Sequence, residues 1–118
     1  EGLSVGLGSD VAGGSTENLF RVMAHAIQMS KMRWRLVDQK YPALKSEEAF
    51  YMATKGGGSF FGKVGSFEEG YEFDAVVLDD SRIESSRQMS VKDRLERMIY
   101  LADEREMKAK YVRGNKII

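Results

Sequence analysis

Apolar residues come in blocks along this chain, and the spacing inside each block predicts an element. Leu3, Val5 and Leu7 form a short apolar run interrupted only by Ser4 and Gly6. Such a run fits a buried strand, although its glycines weaken it. Gly8-Ser9-Asp10 ends the run, and Gly13-Gly14 allow a tight turn before a helix. Ser15 or Thr16 is placed to cap that helix, with Glu17 in its first turn, where the dipole favours an acid. The helix is predicted over about residues 18–35. Phe20, Met23, Ile27 and Trp34 lie on one side, and Leu19, Val22, Ala26 and Met29 on an adjoining one, a surface wide enough for two neighbours. Lys31, Arg33 and Arg35 crowd its far end, where the dipole favours cations; a solvated helix end explains them better than a phosphate site.

Tyr41-Pro42 holds the only proline and marks a helix boundary. Ser46 is read as the cap of a short helix over 47–55, with Ala49, Phe50 and Ala53 on its buried face. Gly56-Gly57-Gly58 are read as its stop. A phosphate-cradling loop would follow a strand, and these glycines follow a helix. Ser59 to Gly62 fit one more helical turn. Glu68-Glu69-Gly70 reads as a turn, Ala75 to Leu78 as a strand rich in β-branched residues, and Asp79 to Gln88 as a polar, serine-rich loop. Ser90 with Asp93 resembles a capping box with a shorter acid, and it opens the clearest amphipathic helix, with Val91, Leu95, Met98 and Ile99 as apolar positions. Asp103-Glu104-Arg105-Glu106 reads as a solvated connection. Ala109 to Val112, a Gly114-Asn115 turn and Lys116 to Ile118 read as a β-hairpin.

Composition narrows the classes. The chain has 118 residues, enough for one domain with its own core. Eighteen basic residues balance eighteen acidic ones, which argues against nucleic acid or an acidic membrane surface as partner. Without cysteine there is neither a disulfide framework nor a thiolate metal site. No apolar run reaches the length of a membrane span and no signal peptide opens the chain, so a soluble, cytoplasmic protein is expected. The chain opens at Glu1 without methionine and runs at once into a strand-like segment. A parallel strand needs neighbours, so a piece of a longer protein is the expectation.

Asp10 is the candidate for chemistry. It sits just past the carboxyl end of the first strand-like run, the rim at which parallel α/β folds and β/α barrels bind ligands and metals. Two readings stand at this point. Asp10 is either a turn aspartate accepting backbone hydrogen bonds near a helix start, or a metal ligand and proton carrier. Gly6-x-Gly8 with Gly13-Gly14 does not make a dinucleotide loop, because Val11 breaks the pattern and a long helix occupies the region where an acid-tipped strand belongs. His25, the only histidine, reads as a helix side chain reaching solvent or a carbonyl.

Ser9-Asp10-Val11-Ala12-Gly13-Gly14 after a Gly-Leu-Gly strand resembles the eighth barrel strand of the guanine deaminases, zinc enzymes of the amidohydrolase superfamily. Two later segments match in order. Gly65, Gly70 and Asp74 fit the Gly-x-x-x-x-Gly-x-x-x-Asp pattern at the return to a small β-sandwich, with Glu72-Phe73-Asp74-Ala75 in the guanine deaminase-like form. Residues 101–118 resemble that family's ending. The resemblance implies the last strand and following helices of a metal-dependent (β/α)8 TIM barrel over residues 1–64. It implies strands of a small composite β-sandwich, with one intervening helix, over 65–118. It further implies hydrolysis of guanine to xanthine and ammonia, Asp10 as zinc ligand and proton carrier, a structural role for Asp74, a purine substrate and a homodimer for the complete enzyme. The family's metal histidines, acidic shuttle and substrate-reading residues would lie upstream. The chain alone is therefore expected to be inert and to hold no zinc tightly, because one carboxylate is not a site. Two rivals remain: a related deaminase or chlorohydrolase acting on adenosine-like or triazine rings, and a non-enzymatic α/β binding domain in which Asp10 only shapes a turn.

Overall fold

A computed structural model describes residues 2–83 and 85–118; Glu1 and Glu84 lie outside the described residues. Three helices, α1 (Leu19–Leu36), α2 (Ser46–Tyr51) and α3 (Val91–Leu101), accompany three strands, β1 (Ala75–Leu78), β2 (Met107–Val112) and β3 (Asn115–Lys116). The helices share one core. Met23, Ala24 and Ile27 of α1 meet Ala49 of α2 and Ile99 of α3, and Leu7, Phe20, Leu44, Ala53 and Leu95 pack around them. On α1 the buried stripe is thus narrower than its sequence suggests, and Met29 and Trp34 are exposed. On α3, Met98 and Ile99 are buried while Val91, in the first turn, faces solvent.

The helix ends differ from expectation in instructive ways. The cap of α1 is Asn18, not Ser15 or Thr16: its Oδ1 accepts the Phe20 N–H at 2.9 Å, while Thr16 Oγ1 accepts the Asn18 N–H at 3.1 Å. Glu17 consequently precedes the helix. Ser46 is the first residue of α2 rather than its cap, and the Lys45 N–H in the cap position is taken by Glu48 Oε2 at 2.8 Å. Ser90 caps α3 as expected, accepting the Asp93 N–H at 3.1 Å.

Gly56-Gly57-Gly58 do not stop the second helix. The chain runs on from α2 through a π-helical turn, Met52–Gly56, and a 3₁₀ turn, Ser59–Phe61, and ends at Gly62 with φ 112°. The glycines are demanded by packing instead. A Cβ at Gly58 would stand 2.6 Å from the Val64 carbonyl oxygen, and one at Gly56 would stand 3.0 Å from Tyr51 atoms. Phe50, expected inside, lies on the outer side of α2, and Ala49 takes the core position.

The sheet is antiparallel in the order β1-β2-β3, with Ala75 opposite Tyr111 and Val77 opposite Ala109. Its hairpin turn is Arg113-Gly114, one residue earlier than expected. The two-residue turn that matches strand twist needs two positive φ values, and these are the two residues that have them, at 50° and 76°. Asp74 and Phe73 hold that turn from the neighbouring segment: Asp74 Oδ1 accepts the Arg113 N–H at 2.8 Å and the Phe73 carbonyl accepts the Gly114 N–H at 2.9 Å. The charged run before β2 is not a solvated connection. Glu104–Glu106 form a 3₁₀ turn in which Glu106 is 4% exposed, and its Oε2 accepts the Asp103 N–H at 2.9 Å.

The segment before Asp10 also departs from expectation. Residues 2–10 form no strand among the described residues, and Leu3 and Val5 are exposed. A parallel strand exists only through the ladders on its flanks, and no described strand lies beside it. Leu7 alone turns inward to the helical core.

Candidate active site

Asp10 stands at the point where this N-terminal segment turns into the approach to α1. Its own φ is 48° and that of Ala12 is 76°, so two residues with side chains occupy the left-handed region within three positions. Asp tolerates that region better than Ala does. The Asp10 carbonyl accepts two backbone N–H groups, from Gly13 at 2.8 Å and from Gly14. Gly14 is required by crowding, since a Cβ there would collide with the Ser9 carbonyl at 1.9 Å, whereas one on Gly13 would meet only the Asp10 side chain, 2.6 Å from Oδ2. Ser9-Asp10-Val11-Ala12-Gly13-Gly14 is therefore a compact turn closed on the Asp10 carbonyl, with Gly14 at its tightest point.

The turn uses the backbone of Asp10 and leaves its side chain open. Asp10 is exposed, and among the described residues its carboxylate accepts no hydrogen bond and joins no ion pair. Most other acids of the chain are engaged. Asp80 receives Arg94 through two bonds, 2.6 and 2.8 Å, and this pairing holds the Asp80 carboxyl below its usual range. Glu68 is bonded by Lys55 and Ser66, which lowers its pKa likewise. A free carboxylate above a glycine turn can accept a proton or join a ligand set supplied from elsewhere.

A metal needs more than this. No group of three or more His, Cys, Asp or Glu side chains is arranged to hold an ion among the described residues. His25 is exposed on α1 and brings nothing to Asp10. One carboxylate does not fit a zinc site, which takes three protein ligands at least. The residues present here thus do not by themselves house the metal that the resemblance implies. Nor is any helix among the described residues long and apolar enough to cross a membrane.

The structure does connect Asp10 to a part of the chain that the sequence left unlinked. The Leu7 N–H donates to the Met52 carbonyl at 3.0 Å, and Gly6 lies directly against Gly57. Glycine inside a strand-like run can signal such close backbone approach. At Gly6 that is the meaning, beyond the weakened strand that the glycine predicts.

Comparison with known proteins places these features in a family. The sequence model of the Amidohydrolase family matches residues 1–117. A guanine deaminase of Dictyostelium discoideum is 33% identical over 122 residues, covering 98% of this chain and 27% of its own length. The Escherichia coli (strain K12) guanine deaminase is 31% identical, covering 95% of this chain and 26% of its own. A crystal structure of guanine deaminase from C. acetobutylicum, with guanine bound in its active site, superposes with a TM-score of 0.92 at 54% identity, over 99% of this chain and 28% of that one. The chain thus spans somewhat more than a quarter of the length of the relatives it matches. With the glycine-built Asp10 turn and a match along almost all its residues, the chain belongs to the amidohydrolase family.

Proposed function

We propose that this chain is the C-terminal portion of a guanine deaminase, which hydrolyses guanine with one water to xanthine and ammonia. The observation that carries the reading is the 54% identity and 0.92 TM-score to a guanine deaminase solved with guanine in its active site. In this reading residues 1–64 complete a (β/α)8 barrel and 65–118 contribute to a small β-sandwich. Ile99 of the second part packs against Met23 and Ala49 of the first. The complete protein is a cytoplasmic enzyme with a small purine as substrate.

Asp10 acts as the proton carrier. Its open carboxylate takes a proton from the attacking water and delivers it toward the departing amine, so the leaving group exits as ammonia. The glycine turn holds the backbone and leaves both carboxylate oxygens for this work. Zinc, implied by the resemblance, would be held mainly by ligands outside these residues, with Asp10 one member of the set. By itself the chain neither turns over guanine nor retains zinc at one per chain.

The test is ammonia release from guanine by the zinc-loaded parent protein, with and without Asp10→Asn. Turnover that the substitution abolishes while the fold survives is the expected result. Turnover on another aminopurine or a triazine, with none on guanine, would move the substrate and keep the role of Asp10. No deamination of any ring would return Asp10 to the rank of a turn residue.

A further inference from the structure

The N-terminal segment touches the second helical run at backbone distance. A Cβ at Gly6 would lie 2.7 Å from Gly57 Cα, 3.4 Å from Gly57 N and 3.7 Å from the Met52 carbonyl oxygen. All three are backbone atoms inside a helix, so none can swing aside. A Cβ at Gly57 would stand 3.8 Å from Gly6 Cα, an ordinary contact, and would crowd the Met52 carbonyl oxygen at 3.0 Å, so a side chain there acts on the N-terminal segment through that carbonyl. The same carbonyl accepts the Leu7 N–H at 3.0 Å. It also accepts the Gly57 N–H, five residues on, because Met52–Gly56 is wound as a π-helix. The wide turn thus presents one carbonyl both to its own helix and to the segment that leads into Asp10. Single π turns of this kind recur at functional sites.

We propose that Gly6 and Gly57 are positioning residues for Asp10. Their contact, closed by the Leu7–Met52 hydrogen bond, sets where the Asp10 carboxylate stands. The inference rests on the reading of Asp10 given above. Leu7 is fixed twice, through its N–H and through its side chain against the helical core. Three residues later the Asp10 carbonyl is fixed by Gly13 and Gly14. Only Gly8 and Ser9 lie between the two clamps, so a shift at Gly6 has little chain in which to dissipate. Bringing an alanine at Gly6 to ordinary van der Waals separation requires a shift of about 1 Å. That is the scale on which misplacement of reacting groups costs about a hundredfold in rate.

The experiment uses the zinc-loaded parent protein with Gly6→Ala, Gly57→Ala and Gly62→Ala, following kcat and KM for guanine, and Tm. Gly62 has φ 112° and open space around it, so alanine there strains the helix end without touching the Asp10 segment. Gly6→Ala is expected to lower kcat by about a hundredfold and Gly57→Ala by about tenfold, with KM within about twofold in both. Gly62→Ala is expected to lower Tm and leave kcat and KM as in the wild type. The proposal is overturned if a folded Gly6→Ala or Gly57→Ala keeps the wild-type kcat. It is overturned equally if Gly62→Ala reproduces their kinetic changes, or if Gly57→Ala does not fold, since the contact would then serve stability. A wild type that releases no ammonia from guanine would instead remove the reading of Asp10 and this proposal with it, a result distinct from an active wild type with unaffected variants.

Discussion

Two aspartates of this chain sit at tight turns with left-handed backbone, and they are used in opposite ways. Asp74 spends its carboxylate on structure: Oδ1 takes the N–H of Arg113, the residue with φ 50° that begins the β2–β3 hairpin turn. Beside it, Arg113 Nε reaches Glu72 Oε2 at 2.7 Å, so the corner is closed by two acids and one arginine. Asp10 does the reverse. Its backbone carbonyl holds the turn through Gly13 and Gly14, and its carboxylate is left unbonded among the described residues. Turn aspartates ordinarily bond their neighbouring backbone with the side chain. A turn built from the aspartate's carbonyl, with crowded glycines in place of side-chain bonds, keeps a carboxylate free at a fixed place.

The sharpest way to break this comparison is to neutralise each acid in turn. Asp10→Asn in the parent protein is expected to lower guanine deamination by about a thousandfold, the middle of the range for a lost proton carrier. Because no described bond depends on its carboxylate, Tm should stay near that of the wild type. A large loss of Tm with activity in proportion would place Asp10 beside Asp74 as a structural residue.

Glu106 extends the structural side of the contrast. It is buried, and its carboxylate closes the 3₁₀ turn by accepting the Asp103 N–H. Glu106→Ala strands that amide and is expected to cost about 2 kcal/mol in urea unfolding of the parent protein, with kcat for guanine unchanged. Asp74→Ala is next in size. The Arg113 N–H it releases lies at the surface, where water replaces the lost partner, so a cost of about 1 kcal/mol is expected, again without effect on kcat. If Asp74→Ala altered kcat while Asp10→Asn did not, the two aspartates would have been assigned the wrong way round.

How much of this was legible beforehand depended on how local the determining interactions are. Ala75–Leu78 as a strand and Ser90 as the cap of α3 follow from residues within a few positions of one another, and both are observed. The turn at Asp10 was also readable, because the small residues that make it are contiguous. Glu106 was misread as solvated because its burial comes from the fold around the turn, not from the turn's own composition. Gly56-Gly57-Gly58 was misread as a stop because glycine's low helix propensity is a local signal. The crowding against Tyr51 and Val64 depends on how the run is wound and turns back on itself, which helix propensity does not encode. The strand expected over Leu3–Leu7 failed for the same reason in reverse, since its ladder partners are not among the described residues.

The smallest predicted effect concerns acid. Ser81 N–H donates to Asp79 Oδ1 at 2.9 Å and Lys108 Nζ lies 3.3 Å from Oδ2, and together they hold the Asp79 carboxyl at about 2, below its ordinary 3.8. A carboxyl depressed in the folded state contributes stability that is fully present above its unfolded pKa and is lost as pH falls through the folded one. The window is therefore from about 4 down to about 2. The two partners differ in what they add. Ser81 is two residues away, so the unfolded chain can keep part of that bond, whereas the pairing with Lys108 exists only when β1 and β2 are joined. The fall in Tm between pH 4 and pH 2 should thus be slightly shallower in Asp79→Asn than in the wild type. Added salt should narrow the difference, because this exposed ion pair is screened. A difference that persists undiminished in high salt would shift the contribution from Lys108 to the Ser81 bond, and would show that the unfolded chain does not form it.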